Sequence, residues 1–216
     1  MIDFMRIVGA VTREVGSREH EGRTARVVVV RRTYDTTIED AWDALTNPER
    51  IPRWFLPVSG ELRLGGRYQL EGNAGGTITR CEPPRHLALT WEFGGEVSWV
   101  TVGLDKDSKG GTLLVLEHMA HVDDERWQQY GPGAVGVGWD LALMGLAQHL
   151  ASRAAVDPHA AMAWPGTPEG KDFVRRSSDD WARASIAAGT DAAGAKASAA
   201  RTTAFYTGES EPSAES

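Results

Sequence analysis

The chain is poor in cysteine and in long apolar runs, and its acidic residues outnumber its basic ones. One cysteine, Cys81, in 216 residues leaves no internal disulfide and no multi-cysteine metal site. Such usage is expected of a protein in a reducing cytoplasm. No stretch reaches the ~18 uninterrupted apolar residues of a membrane-spanning helix, so no membrane insertion is expected. The opening MIDFMRIVGAVTREVG lacks the charged start and sustained apolar run of a secretory leader. A formal net charge of −7 leaves no concentrated basic patch, and nucleic acid is not an expected partner. There is no GxSxG elbow. The glycine pairs at 65–66, 75–76 and 94–95 fall in strand turns, not in a strand-to-helix phosphate loop.

What is present is aromatic and apolar. Apolar residues make up 41% of the chain, enough for a substantial core, and eight are tryptophans. The segment NPERIPRWFLP (47–57) holds Ile51, Trp54, Phe55 and Leu56 between Pro48 and Pro57. A solvent loop does not carry that much apolar surface, so the segment either folds onto a core or lines a binding site.

Periodicity orders the elements. Arg26 to Tyr34 is a β-branched run, and His20-Glu21-Gly22 can turn a hairpin into it from residues 6–15. Thr36 with Glu39 forms a capping box before Ile38, Ala41, Trp42 and Leu45, a helix that Asn47-Pro48 ends. Leu62, Leu64, Tyr68 and Leu70 then alternate around Gly65-Gly66 as a hairpin. Strands follow over 77–82, 86–93, 96–104 and 112–119, with Leu87, Leu89, Trp91 and Phe93 on one face. Short connections make the sheet an antiparallel meander. A helix from about Pro132 to Ser152 presents Val135, Trp139, Ala142, Leu143, Leu146 and Leu150. Gly136, Gly138 and Gly145 within it signal either close packing on the sheet or room for a cavity. The class is α+β, a curved sheet wrapped around one long helix.

The order Arg32-Thr33-Tyr34, Ile38 to Thr46, Asn47-Pro48-Glu49, Trp54-Phe55-Leu56-Pro57 and Leu64-Gly65-Gly66-Arg67-Tyr68 carries a resemblance. It continues in Gly76-Thr77-Ile78, Glu82-Pro83-Pro84-Arg85 and Leu89-Thr90-Trp91-Glu92. Across residues 26 to 150 the chain resembles the START-like (SRPBCC) superfamily, and within it the bacterial relatives of the heat-shock-protein-90 ATPase activator. The resemblance implies a helix-grip fold in which Trp54-Phe55 sits at the mouth of the space between sheet and helix. Chaperone-activating members carry a separate N-terminal chaperone-binding domain. Nothing before residue 26 is long enough to be one, so a chaperone partner is not expected.

The expected function is binding of a small hydrophobic or aromatic ligand in that space, with no cofactor and no metal. Trp54 and Phe55 would gate it, Trp91, Trp99, Trp139 and Leu143 would line it, and His118 would supply a hydrogen bond. A cyclase- or hydrolase-like enzyme in the same cavity, or a protein-interaction module, are the alternatives. His118, His121, Asp123 and Asp124 suggest zinc only if both imidazoles converge, which residues three apart do only where the strand ends near residue 119. Asp140 is expected to face solvent near its helix start.

Residues 1–155 form the expected helix-grip domain, 156–176 (DPHAAMAWPGTPEGKDFVRR and one preceding residue) a linker, 177–207 an alanine-rich helical extension and 208–216 a disordered acidic tail. Ser177 with Asp180 would cap a helix ending at Gly189, and Thr190 a second running to Phe205-Tyr206. Alanine supplies 11 of the 23 residues at 182–204. It buries little area, so Trp181, Phe205 and Tyr206 would anchor the extension. Packing on the domain or a homodimer arm are its expected roles.

Overall fold

The computed structural model describes residues 3–210. A short helix α1 (Phe4–Gly9) precedes strands β1 (Thr12–His20) and β2 (Arg23–Tyr34), which turn at Glu21-Gly22 with φ of 50° and 73°. Helix α2 (Ile38–Thr46) follows, then a 3-10 turn at Ile51–Arg53. Six strands come next: β3 (Val58–Gly60), β4 (Arg67–Leu70), β5 (Gly75–Glu82), β6 (His86–Phe93), β7 (Glu96–Lys106) and β8 (Thr112–Ala120). They complete one antiparallel sheet in the order β1-β2-β8-β7-β6-β5-β4-β3. A register shift between Ile78 and Arg80 puts a bulge in β5 and helps the sheet curl.

Helix α3 (Asp124–Tyr130) leads into α4 (Gly133–Ser152), which the sheet grips. Beyond it stand α5 (Pro158–Ala163), α6 (Pro168–Ala187) and α7 (Ala192–Thr207). The α+β helix-grip architecture is therefore present. No helix among the described residues is long and apolar enough to cross a membrane.

Several local expectations shift. Thr37, not Thr36, caps α2, accepting from the Asp40 N–H at 3.2 Å, while the Thr36 hydroxyl donates to the Asp40 carboxylate. Leu62 and Leu64 lie outside strands, in the turn between β3 and β4. The stretch 156–176 contains helices. Thr167, ten residues before Ser177, caps α6, with Pro168 in the first turn. Asp191, not Thr190, caps α7. Of the tail at 208–216, Gly208 ends α7 in the left-handed conformation and Glu209 pairs with Lys171. Residues 211–216 lie outside the described residues.

The extension packs against α4 and against strand β1. Val174 and Trp181 of α6 share a core with Val30, Leu104 and Leu146. The three odd glycines of α4 are explained here. A Cβ on Gly136 would overlap the Trp181 indole, one on Gly138 would stand 3.0 Å from the Tyr206 hydroxyl, and one on Gly145 would overlap the Trp54 carbonyl. Close approach is the reason for all three, to the extension and to the 47–57 segment and not to the sheet.

Asp140 is 1% exposed. Its Oδ2 accepts from Arg13 Nε at 2.9 Å, Trp181 Nε1 at 3.1 Å and the Ser177 hydroxyl. The solvent-facing expectation fails because its partners stand on β1 and α6, far away in sequence. Burial pushes the Asp140 carboxyl up against the pull of Arg13.

Candidate ligand-binding site

The turn after α2 is fastened at several points. Arg50 Nη1 donates to Asp40 and Asp43, each at 2.8 Å, and its Nε donates to His149 Nε2 at 3.3 Å. Guanidinium contacts hold the Asp40 and Asp43 carboxyls below their usual range. Trp54 Nε1 donates to the Ala44 carbonyl at 2.9 Å. These anchors lay Trp54 and Phe55 across the space between sheet and α4, their rings stacked 5.4 Å apart.

Behind them is a cavity of about 130 Å3. Trp54, Phe55, Trp91, Trp139 and Leu143 line it, with Leu87, Leu89, Val100, Val102 and Leu116 from the sheet. Period two explains the set. Leu89, Val100 and His118 lie side by side on β6, β7 and β8, and Trp91 pairs with Ser98, so these residues point toward α4.

The lining is apolar even where a polar atom is available. The Tyr68 hydroxyl donates to the Thr90 carbonyl at 2.8 Å, the Thr46 hydroxyl to the Trp42 carbonyl at 2.8 Å, and Trp54 Nε1 to Ala44 as above. Burial raises the Tyr68 phenol well above its ordinary pKa, so it stays neutral.

Parity removes Trp99 from this cavity. It pairs with Thr90 and Met119, one residue out of phase with Ser98 and Val100, and so points to the outer face. There it packs with Ala25, Val27 and Met119 and meets the rings of His20 and His121 at 4.1 and 5.4 Å. His121 lies just past the end of β8 and meets the Trp99 ring, whereas the ring nitrogens of His118 bond Trp139 and Ser98.

His118 faces inward but stands behind Trp139, outside the lining of the apolar cavity. Trp139 Nε1 donates to His118 Nδ1 at 3.0 Å. Indole only donates, so Nδ1 is bare and the proton sits on Nε2, which donates to Ser98 Oγ at 2.8 Å. The Ser98 hydroxyl passes its hydrogen to the Trp91 carbonyl at 3.0 Å. Burial lowers the imidazole pKa to about 4, so it is neutral in the fold. Its one lone pair is already used, which leaves His118 as a structural link between Trp139 and the sheet.

Beyond that link lies a second chamber of about 210 Å3, lined by Trp91, Ser98 and His118 and by Arg26, Arg126 and Trp127 at its outer end. On the other side of Trp54-Phe55, a groove of about 340 Å3 runs under α5 to Trp164. Sequence reasoning missed Ser98 and Trp127. Ser98 was legible as the continuation of the Val100, Val102, Leu104 alternation. Trp127 sits on a seven-residue polar helix that carries no periodic signal.

Comparisons with known proteins agree with this architecture. Residues 35–151 match the family described as "Activator of Hsp90 ATPase homolog 1-like protein". CalU16 from Micromonospora echinospora is 34% identical, with a TM-score of 0.64, over 81% of this chain and 98% of that one. That likeness reaches beyond residues 35–151. MLL2253 from Mesorhizobium loti is 27% identical, with a TM-score of 0.52, over 61% of this chain and 100% of that one. The mouse activator of 90 kDa heat shock protein ATPase homolog 1 is 27% identical over 114 residues, 48% of this chain and 34% of the mouse protein. The match thus spans about a third of that longer relative. With more than half of its length matched, and a solved relative similar over nearly its whole length, the chain belongs to the activator of Hsp90 ATPase homolog 1-like family.

Proposed function

We propose that this protein binds a small apolar or aromatic molecule between the sheet and α4. The observation that carries the reading is a cavity of about 130 Å3 whose polar wall groups turn their hydrogens to backbone carbonyls. Water gains little in such a space, whereas an apolar cavity of ~150 Å3 accepts benzene. Trp54 and Phe55 close one end of the site, Trp91 and Trp139 the other, and Leu143 forms the α4 wall.

An interaction module would do as well with a filled core, so the hollow favours a guest. Acid–base catalysis by His118 is not favoured, because its Nδ1 already accepts from Trp139.

Native mass spectrometry of protein purified gently from its own host tests the reading, alongside a thermal-shift panel of one-ring compounds. A stoichiometric bound molecule, or a rise in Tm with toluene or indole that Trp139→Ala abolishes, is the expected result. An empty protein that no panel compound stabilises would overturn it.

A further inference from the structure

The cavity is small for a ligand site. At about 130 Å3 it holds one ring, while pockets for drug-sized ligands span ~300–1,000 Å3. A larger guest must pass a wall, and the two end walls differ. At Trp54 the backbone carbonyl is pressed onto α4 at Gly145 and the indole is tied to the Ala44 carbonyl. A ligand offers no substitute for that packing.

At the opposite wall, a waist between the two chambers, Trp139 packs on the Trp91 ring at 5.2 Å and holds a single side-chain hydrogen bond, to His118. Trp91 lines both chambers. The second chamber, about 210 Å3, brings the combined space into the range of ordinary ligand sites.

The chemistry of the waist and the outer chamber restricts the guest. Moving the Trp139 indole aside leaves His118 Nδ1, an atom in a 7%-exposed residue, without a donor. A hydrocarbon leaves that acceptor bare, whereas a hydroxyl restores the bond. At the outer end stand Arg26 and Arg126. Arg26 pairs with Asp124 at 2.8 Å and lies over the Trp127 ring at 5.2 Å, and Arg126 pairs with Glu96 at 3.0 Å. Both carboxylates are well exposed, so these pairs are weak and exchangeable. Phe93 and Val97 line the same chamber as exposed apolar side chains.

We propose that the natural guest is an elongated amphipathic acid that spans both chambers. Its apolar, ring-sized end lies in the inner cavity, a hydroxyl at the waist donates to His118 Nδ1 in place of Trp139, and an anionic end meets Arg26 and Arg126. This rests on the ligand-binding reading above.

Three probes sharing a phenyl end separate the two ideas: toluene, 6-phenylhexanoate and 6-hydroxy-6-phenylhexanoate. Binding is measured by calorimetry, and the indole N–H resonance of Trp139 is followed by NMR. Toluene is expected to bind and leave the Trp139 N–H bonded to His118, as slow to exchange with solvent as in the free protein. The hydroxy acid is expected to bind at least tenfold tighter than 6-phenylhexanoate and to release that N–H to fast exchange. Arg126→Gln should weaken the hydroxy acid fivefold or more and leave toluene unchanged. If toluene binds but neither acid binds more tightly, with the N–H still protected, the two-chamber ligand is wrong and the apolar cavity reading stands. If none of the three binds, both are wrong.

Discussion

On the side of α4 that meets α6, a tryptophan fills the interface. On the side that meets the sheet, tryptophans surround a space. Trp181 is fully buried, lies against the helix where Gly136 offers no side chain, and donates to Asp140. Trp91 and Trp139 have their ring centroids 5.2 Å apart and border a cavity of about 130 Å3. One helix therefore has a buried indole filling one flank and a void on the other. The void lies between the sheet and α4, apart from the interface that Trp181 fills.

The largest effect expected from breaking this contrast is on the filled side. Trp181→Ala should cost about 3–5 kcal/mol, read as a fall in the urea unfolding midpoint at constant m. It removes a fully buried indole and one of the hydrogen bonds to Asp140. A cost below about 1 kcal/mol would erase the distinction between the two flanks.

The next effect is set by pH and sharpens the hollow side. His118 is neutral in the fold with a pKa near 4, below the ordinary 6.5, so the unfolded chain takes up its proton first. The stability tied to neutral His118 is complete above pH 6.5 and is lost as pH falls toward 4. The shift corresponds to about 3 kcal/mol. Urea titrations across that window should show the native chain losing about 3 kcal/mol more than His118→Gln. Parallel curves would mean the imidazole titrates in the fold as it does in the unfolded chain and the Trp139 link is misassigned.

A smaller effect on stability comes from filling the void. Leu89→Phe adds bulk facing the cavity and should change stability by no more than about 1 kcal/mol. It should weaken one-ring guests at least tenfold by calorimetry. Retained affinity would place the guest elsewhere. Smallest of all, Phe205→Ser on the exposed face of α7 should stay within about 0.5 kcal/mol by the same unfolding assay, since Phe205 is 69% exposed.

The sequence disclosed the parts governed by local periodicity. Leu87, Leu89 and Trp91 alternate because one face of β6 is apolar, and α4 could be bounded from Pro132 to Ser152. Trp99 was misplaced because β7 is apolar on both faces: Val100 and Val102 look inward, while Trp99 is covered outside by His20 and His121. Helices α1 and α3 were missed because six or seven residues are too short to hold a helix without tertiary contacts. The start of α6 was legible in Thr167-Pro168, a cap followed by a first-turn proline, but the surrounding Pro and Gly read as a linker. Asp140 was beyond local reading altogether, because its burial depends on Arg13 and on Ser177 and Trp181.

The occupancy of the grip is tested most directly by methyl NMR of leucine- and valine-labelled protein titrated with toluene. The account predicts saturable shifts concentrated at Leu89, Val100, Leu116 and Leu143, which line the cavity, with Val8 and Val174 on the filled side unmoved. Shifts absent from those four, or spread evenly over both flanks of α4, would contradict it.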